Sequence, residues 1–406
     1  MAIFTLTSEL HDEKAVASAT WDFLKSLRQA STTEWMGEDP YLFMGNDYTE
    51  YGTHAIDIIY VRTGGTEGIF KGMLPELSKK SKRPFYLLTS GKSNSLAASM
   101  EILSFLRQQG IKGEIIHGKA DFIARRIDTL AKVGKARREL NGTQLGIIGK
   151  PSDWLIASDV DREKVKETLG ISLIDIPMQE LLDVMATIPL REVDENTDEN
   201  HIKKALPGAN QIYDALKVII ERHHLQGFTI RCFDLLTAVH NTGCLALARL
   251  NAEGIVAGCE GDIPTMLTMK IAQSLVGVTG FQANPSAIDP ETGELLFAHC
   301  TIPFNMVERY EYDTHFESGI GVGIRGYMKE GPVTIFKTSG DLSRHFIAQG
   351  NLVRNQALPG LCRTQQVIQL EDPAIANYFL NDPIGNHHVI LPGHHAPLIQ
   401  SFIEQP

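Results

Sequence analysis

Short apolar runs closed by glycine, serine or threonine alternate with amphipathic stretches through the amino-terminal half of this chain, and that alternation leaves few folds open. Ile56-Asp57-Ile58-Ile59-Tyr60-Val61 stops at Thr63-Gly64-Gly65, and Phe85-Tyr86-Leu87-Leu88 stops at Thr89-Ser90-Gly91. Both are too short for buried helices and rich in residues that favour strands. Leu96, Met100, Leu103 and Leu106 then recur at helical spacing, and Gly113-Glu114-Ile115-Ile116-His117-Gly118 supplies the next strand. Successive strands joined by helices pair in parallel, so this rhythm predicts a parallel sheet. Met1 to Thr7 reads as its first strand.

The rhythm restarts at Leu145-Gly146-Ile147-Ile148-Gly149 and continues through a helix from Asp161 to Leu169 and a strand Ser172 to Ile176. A helix Ala209 to His223, a strand Gly227 to Cys232 and a helix Thr237 to Asn251 lead to the apolar run Gly254-Ile255-Val256-Ala257. Near residue 285 the character changes to β-rich pieces such as Gly331 to Phe336 and Thr364 to Leu370. The expected fold class is α/β: two Rossmann-like parallel-sheet domains, 1–143 and 144–284, followed by a β-rich C-terminal domain, 285–406. The polar stretch Arg191 to Asn200, with Glu192, Asp194, Glu195, Asp198 and Glu199, reads as a surface loop or linker.

A net charge of −11 argues against nucleic acid as the main partner, because phosphate binding needs a basic surface. No run approaches the ~18 apolar residues of a membrane span. Met1 to Thr7 lacks the basic region and long apolar core of a signal peptide, which points to the cytoplasm. The five cysteines are odd in number, widely spaced and free of any Cys-x-x-Cys, so reduced buried thiols are expected.

Two glycine-rich motifs fit structure better than nucleotide binding. Gly321-Val322-Gly323-Ile324-Arg325-Gly326 has the dinucleotide spacing, but Tyr327 to Pro332 cannot open a good helix after it. Ser90-Gly91-Lys92-Ser93 lacks the earlier glycine of a phosphate loop, since position 86 is Tyr. It reads as a strand-to-helix turn capped by Ser93 or Asn94.

The chemistry concentrates at Gly258-Cys259-Glu260-Gly261-Asp262. Acids at the end of a buried strand are costly unless they bind a cation, move a proton or find donors. Asp262 precedes Ile263-Pro264-Thr265 and suits a helix cap, whereas Glu260 sits earlier, at the strand end. His387 and His388 adjoin the apolar run Val389-Ile390-Leu391; neighbours on a strand face opposite sides, so only one of the pair can reach a given site. His223-His224 fits a helix C-terminus, and His299 ends the run Leu295 to Ala298.

Arg231-Cys232-Phe233-Asp234, Gly258-Cys259-Glu260-Gly261-Asp262, His299-Cys300 and Gly385-Asn386-His387-His388 together resemble the L-fucose isomerase and L-arabinose isomerase superfamily. The layout resembles it too, over most of the chain, as a shorter and divergent member. The resemblance implies aldose–ketose isomerisation of a small-molecule sugar through an enediolate, with a divalent metal, usually Mn²⁺, held by two acids and a histidine. By position Glu260 resembles the first acid, and His387 or else His388 the histidine. The place of the second acid holds Asn284, whose amide can ligate through oxygen but cannot act as a proton-transferring base. Asp262 is the alternative second acid unless it caps the helix. His299 and Arg231 are the candidates for substrate hydroxyl contacts. The resemblance further implies a homo-oligomer. A sugar-binding or regulatory protein without isomerase activity, and a metal-dependent lyase, are the rival readings.

Overall fold

The structure is a computed structural model, and it describes residues 1–35, 46–191 and 199–405. Of the acidic stretch expected as a linker, Glu192, Asp194, Glu195 and Asp198 lie outside the described residues. The chain forms two compact units, Met1–Arg138 with Ser401–Pro406, and Glu139–Gln400. Parallel-sheet α/β structure comes first and a β-rich region follows, as the strand and helix periodicities imply.

In the first unit, β1 (Ala2–Leu6), β2 (Asp57–Val61), β3 (Phe85–Thr89) and β4 (Gly113–Ile116) lie side by side in that order, all parallel. Phe4, Leu6, Ile59, Val61 and Leu87 face one cluster with Phe70, Leu74 and Ile102. Ile58, Tyr60, Tyr86 and Leu88 face another with Leu27, Ile123 and Ile127. Burial on both faces is why these strands read as unbroken apolar runs rather than alternating ones. Helix Ser95–Gln108 follows the Ser90-Gly91-Lys92-Ser93 turn. Asn94 takes its N-cap position in a left-handed conformation and makes no side-chain cap bond, so the turn is held differently from the expected cap. The Thr89 hydroxyl donates to Ser95 Oγ at 2.6 Å instead.

The second unit opens with β5 (Gln144–Ile148), β6 (Ser172–Ile176), β7 (Gly227–Ile230) and β8 (Val256–Gly258), parallel and ordered β6-β5-β7-β8. The strand order reverses direction at β5, and in open α/β sheets such a switch point opens a crevice at the carboxyl ends of the strands. β9 (Phe281–Ile288) and β10 (Glu294–His299) begin the β-rich part, and β11 (Arg309–Asp313) pairs with β12 (Gly323–Tyr327). The Gly321 to Gly326 motif thus enters a strand and not a helix, for the reason its flanking residues gave. β13 (Gly331–Thr338), β14 (His345–Gln356), β15 (Thr364–Leu370) and β16 (His388–Pro392) complete a closed barrel ordered β10-β15-β14-β13-β16-β9. Its interior residues Phe281, Phe297, Ile335, Ile368 and Ile390 share one core with Ile202, Leu206, Leu245 and Ala248 from helices of the preceding sheet. The barrel is therefore packed against the layer that carries β5 to β8.

Asp128 gives a stability test in the first unit. Its carboxylate accepts from the hydroxyls of Ser31, Thr32 and Thr33 at 2.6, 2.8 and 2.7 Å, just past helix Glu13–Ala30. Burial raises its affinity for protons, but the Ser31, Thr32 and Thr33 donors outweigh this and lower its pKa from 3.8 to about 2. A depressed carboxyl stabilises the fold above its unfolded value and ceases to do so as pH falls through its folded value. Asp128→Ala is expected to destabilise the protein by about 1–2 kcal/mol at neutral pH. In urea titrations at stepped pH, the gap to the parent should hold above pH 3.8 and close towards about pH 2.

Candidate metal centre

Three loops leave the carboxyl ends of β5, β7 and β8, and they build the floor of the site. Gly261 makes their close approach possible: its φ is +71°, and a Cβ there would stand 2.6 Å from the Lys150 carbonyl oxygen. The Ser152 N–H donates to the Glu260 carbonyl at 3.0 Å, and the Gly261 N–H to the Ile230 carbonyl at 2.9 Å. Glu260 itself has φ +64°, a left-handed conformation that a non-glycine residue adopts at a cost of about 1 kcal/mol or more. Its carboxylate lies on the barrel side of the loop.

Two barrel histidines meet it. His299, the last residue of β10, has its Nε2 3.7 Å from Glu260 Oε1. His387, immediately before β16, has its Nε2 3.5 Å from the same oxygen. One ligand atom from each of Glu260, His299 and His387 falls within a group whose members are all within 4.8 Å of one another. Both histidines are buried, and the Glu260 side chain is 14% exposed.

Asp262 fixes the orientation of His387. One carboxylate oxygen accepts from the Thr265 N–H at 2.9 Å, capping helix Ile263–Val276 as expected. The other lies 2.9 Å from His387 Nδ1. An ionised carboxylate can only accept, so Nδ1 carries a proton, and Nε2 becomes the lone-pair donor to a cation once the ring gives up its second proton. Both oxygens of Asp262 are thus committed, and it supports a ligand where a substitute acid would have to bind directly. Behind it, the fully buried Lys337 donates to Thr265 Oγ1 at 2.5 Å and lies 3.7 Å from Asp262 Oδ1.

Charge and burial oppose each other across the group. Burial raises the Glu260 carboxyl, but the His387 and His299 imidazoles override it and hold it well below the usual carboxylate range. Burial likewise raises Asp262, and Lys337 and His387 bring it well below that range. Burial lowers His387, but Glu260 and Asp262 raise it to about 9. His299 is lowered, chiefly by burial. His388 faces the other way, as strand alternation requires. It hydrogen-bonds Tyr378 Oη at 3.0 Å among Phe297, Phe346 and Phe379, and burial lowers it to about 3.

The donor set suits a divalent cation. His387 Nε2 is buried without a hydrogen-bond partner and aims at the two other donors. Metal–nitrogen and metal–oxygen bonds of about 2.1 Å bring ligand atoms to about 3 Å from one another, so modest closure of the group would seat an ion. Two imidazoles and a carboxylate accept several first-row metals. The carboxylate behind His387 is the arrangement that sets tautomer and ring direction in metal-ligating histidines.

Other residues expected at the site have different surroundings. Asn284 is on β9, paired with Ala298 beside His299, and its Oδ1 accepts from Asn386 Nδ2 at 3.0 Å. The Arg231 guanidinium is bound to Asp153 and Asp234 at 2.7 and 2.9 Å and to the Pro151 carbonyl at 2.8 Å, which braces the loop after β5. Three contributors escaped the sequence reading. Gln282, buried two residues before Asn284, accepts from the Cys259 N–H at 2.9 Å and donates to its carbonyl at 3.3 Å. Lys337 lies buried in β13 within an apolar run, a costly placement that was the available signal. Trp154 donates its indole N–H to Glu260 Oε2 at 2.8 Å, and nothing local in the sequence marked it.

A carboxylate and two imidazoles gathered at the switch point of a parallel sheet, roofed by a barrel, define a candidate divalent-metal centre. No family model matches the chain. Among curated proteins it is similar to sulfoquinovose isomerases. It is 24% identical over 278 residues to that of Priestia megaterium, covering 64% of this chain and 62% of the relative. It is 22% identical over 264 residues to that of Alkalicoccus urumqiensis, covering 60% and 59%. The chain thus spans about three fifths of the length of these relatives. Among the described residues, no helix is long and apolar enough to cross a membrane.

Calorimetric titration with Mn²⁺ should show one site per chain, lost in His387→Ala. Asp262→Asn, which leaves the three ligand side chains in place, should weaken binding by about 10–100-fold. Unchanged affinity in both variants would remove the centre from this location.

Proposed function

We propose that this chain is a sugar aldose–ketose isomerase whose divalent metal, Mn²⁺ in the first instance, is held by Glu260, His299 and His387. The observation that carries the reading is the orphaned Nε2 of His387, pointed at Glu260 and His299 and backed by Asp262. The names of the relatives support the same class of reaction and make sulfoquinovose the first substrate to assay, with unmodified aldoses second. The domain boundaries at 143/144 and 284/285 fit this reading. Trp154, Arg231 and Glu260 then come from the second domain and Asn284 closes it, while His299 and His387 come from the third. A homo-oligomer accompanies it by family resemblance, and the net charge of −11 with free cysteines fits the cytoplasm.

A bound cation would supply Lewis acidity, stabilising the charge that develops on two adjacent substrate oxygens in an enediolate. The chain's own groups divide the remaining work. Asp262 and Lys337 keep the His387 ring in one tautomer and one direction. Gln282 fixes the backbone of Cys259 and so the placement of Glu260. Arg231 holds the loop that bears Trp154 rather than reaching for hydroxyls. Moving a proton between C1 and C2 requires a group that can take it up and return it, and neither the Asn284 nor the Gln282 amide is one. Glu260 is the first candidate. Glu317, on the loop joining β11 and β12, is the second: partial burial raises its carboxyl, and repulsion from Glu260 adds to that.

The test is product analysis on sulfoquinovose and on neutral aldoses, with Mn²⁺ added and after chelation. Conversion should require the metal, and Glu260→Gln should reduce kcat by at least about 100-fold. Unchanged turnover in that variant rejects the role given to Glu260. The neutral side chains at 282 and 284 favour the rival reading, a sugar-binding protein. Sugar binding with no ketose formed would select it.

A further inference from the structure

We propose that Trp154 is a substrate-positioning residue of this centre: its indole N–H fixes the Glu260 carboxylate while its open ring face receives the carbon chain of the sugar. The inference rests on the isomerase reading for its substrate class and on geometry for the rest.

Trp154 is 50% exposed, and among the described aromatic side chains only Phe122 and Tyr310 are comparably open. An indole joins a large apolar surface to one polar N–H, so a half-open one that bonds a site residue can also receive the apolar face of a ligand. Its loop is not loose. Leu155 is buried beneath it, the Ser152 N–H is bonded to the Glu260 carbonyl, and Arg231 ties Asp153 and the Pro151 carbonyl. The ring is held edge-to-face against Phe233, with centroids 4.8 Å apart at 82°. Phe233 in turn meets His315 edge-to-face at 5.5 Å. A row of three rings therefore runs beside the group of ligand atoms, and the most exposed of them touches it.

The single N–H of the indole is spent on Glu260 Oε2 at 2.8 Å. The other oxygen, Oε1, is the one that faces His299 and His387. The bond thus selects which oxygen is offered to a cation, and it does so with a donor that cannot accept a proton back. Sugars present an apolar face of C–H groups beside their hydroxyls, and aromatic walls with few polar groups are the usual lining of small-molecule sites. One side chain consequently joins the metal ligand to the surface on which a substrate would lie.

Variants that separate the two halves of the residue decide the matter. Trp154→Phe keeps a ring and loses the donor, and Trp154→Gln keeps a donor and loses the ring. Loss of a hydrogen bond to a charged group predicts roughly tenfold weaker Mn²⁺ binding in Trp154→Phe, read from the free-ion electron paramagnetic resonance signal. For that variant kcat should fall by about the same factor, with KM within about threefold of the parent. Trp154→Gln should show the reverse split, with KM raised by about tenfold and Mn²⁺ affinity kept. Sugar added to the parent should change its tryptophan fluorescence, and that change should vanish in Trp154→Phe although Trp21 and Trp35 remain.

Parent-like Mn²⁺ and sugar affinities in both variants would overturn the proposal. So would a lowered melting temperature with those affinities intact, which marks a merely structural residue. If the parent converts no sugar but Trp154 fluorescence still responds to sugar, the isomerase reading fails and the positioning role stands. If the parent isomerises and both variants match it, the positioning role fails alone.

Discussion

The contact between Asp262 and His387 is the constraint on which the rest of the second unit depends. Both groups are buried, and neither could stay charged or polar there alone. Asp262 starts a helix at the carboxyl edge of a parallel sheet, whereas His387 enters the barrel's closing strand. Their bond, 2.9 Å long, makes two differently built layers agree on one geometry. Lys337 reaches in from a third element, and its ammonium balances a carboxylate that would otherwise be stranded. Such a buried ion pair contributes little net stability, but removing one member leaves an uncompensated charge, so the set is held together as a set.

Around that contact the layers have distinct tasks. The sheet supplies strained loops: Glu260 in a left-handed conformation, and Gly261 where a side chain would strike the Lys150 carbonyl. The barrel supplies rigid strand ends, with His299 closing β10 and His387 leading into β16. An acid held on strained loops on one side and two imidazoles at strand ends on the other bring three candidate ligands together from two layers. The shared apolar core, with Phe281 and Phe297 against Ile202 and Leu245, keeps the two halves from sliding apart.

Much of this was legible from the residues. The parallel sheets followed from apolar runs that end on glycine, and the β-rich region from the loss of helical spacing. Glu260 stood out because a strand end is a costly place for an acid, and the His387–His388 pair because alternation allows only one of them to reach a given site. The structure sends His387 to the acids and His388 into an aromatic cage. What the sequence withheld was partnership over distance. Arg231 is held by Asp234, three residues on, and by Asp153, some eighty positions earlier, and only the first of these partners is close enough in sequence to be read there. His299 reads from the sequence as a candidate for substrate hydroxyls, and its place beside Glu260 depends on how the barrel sits on the sheet. Gln282 and Trp154 carried no local signal at all, since an amide in a strand and an aromatic in a turn are ordinary until their partners are known.

Asp262 and His387 are 125 residues apart along the chain, and the barrel lies almost wholly between them. During synthesis the acidic loop therefore emerges long before its imidazole, and the centre does not exist until β16 docks beside β9. Contacts of such long sequence separation are reached late in folding. A cation bound at the finished centre would stabilise only the completed fold, because the three ligand side chains are not together before the last strand docks.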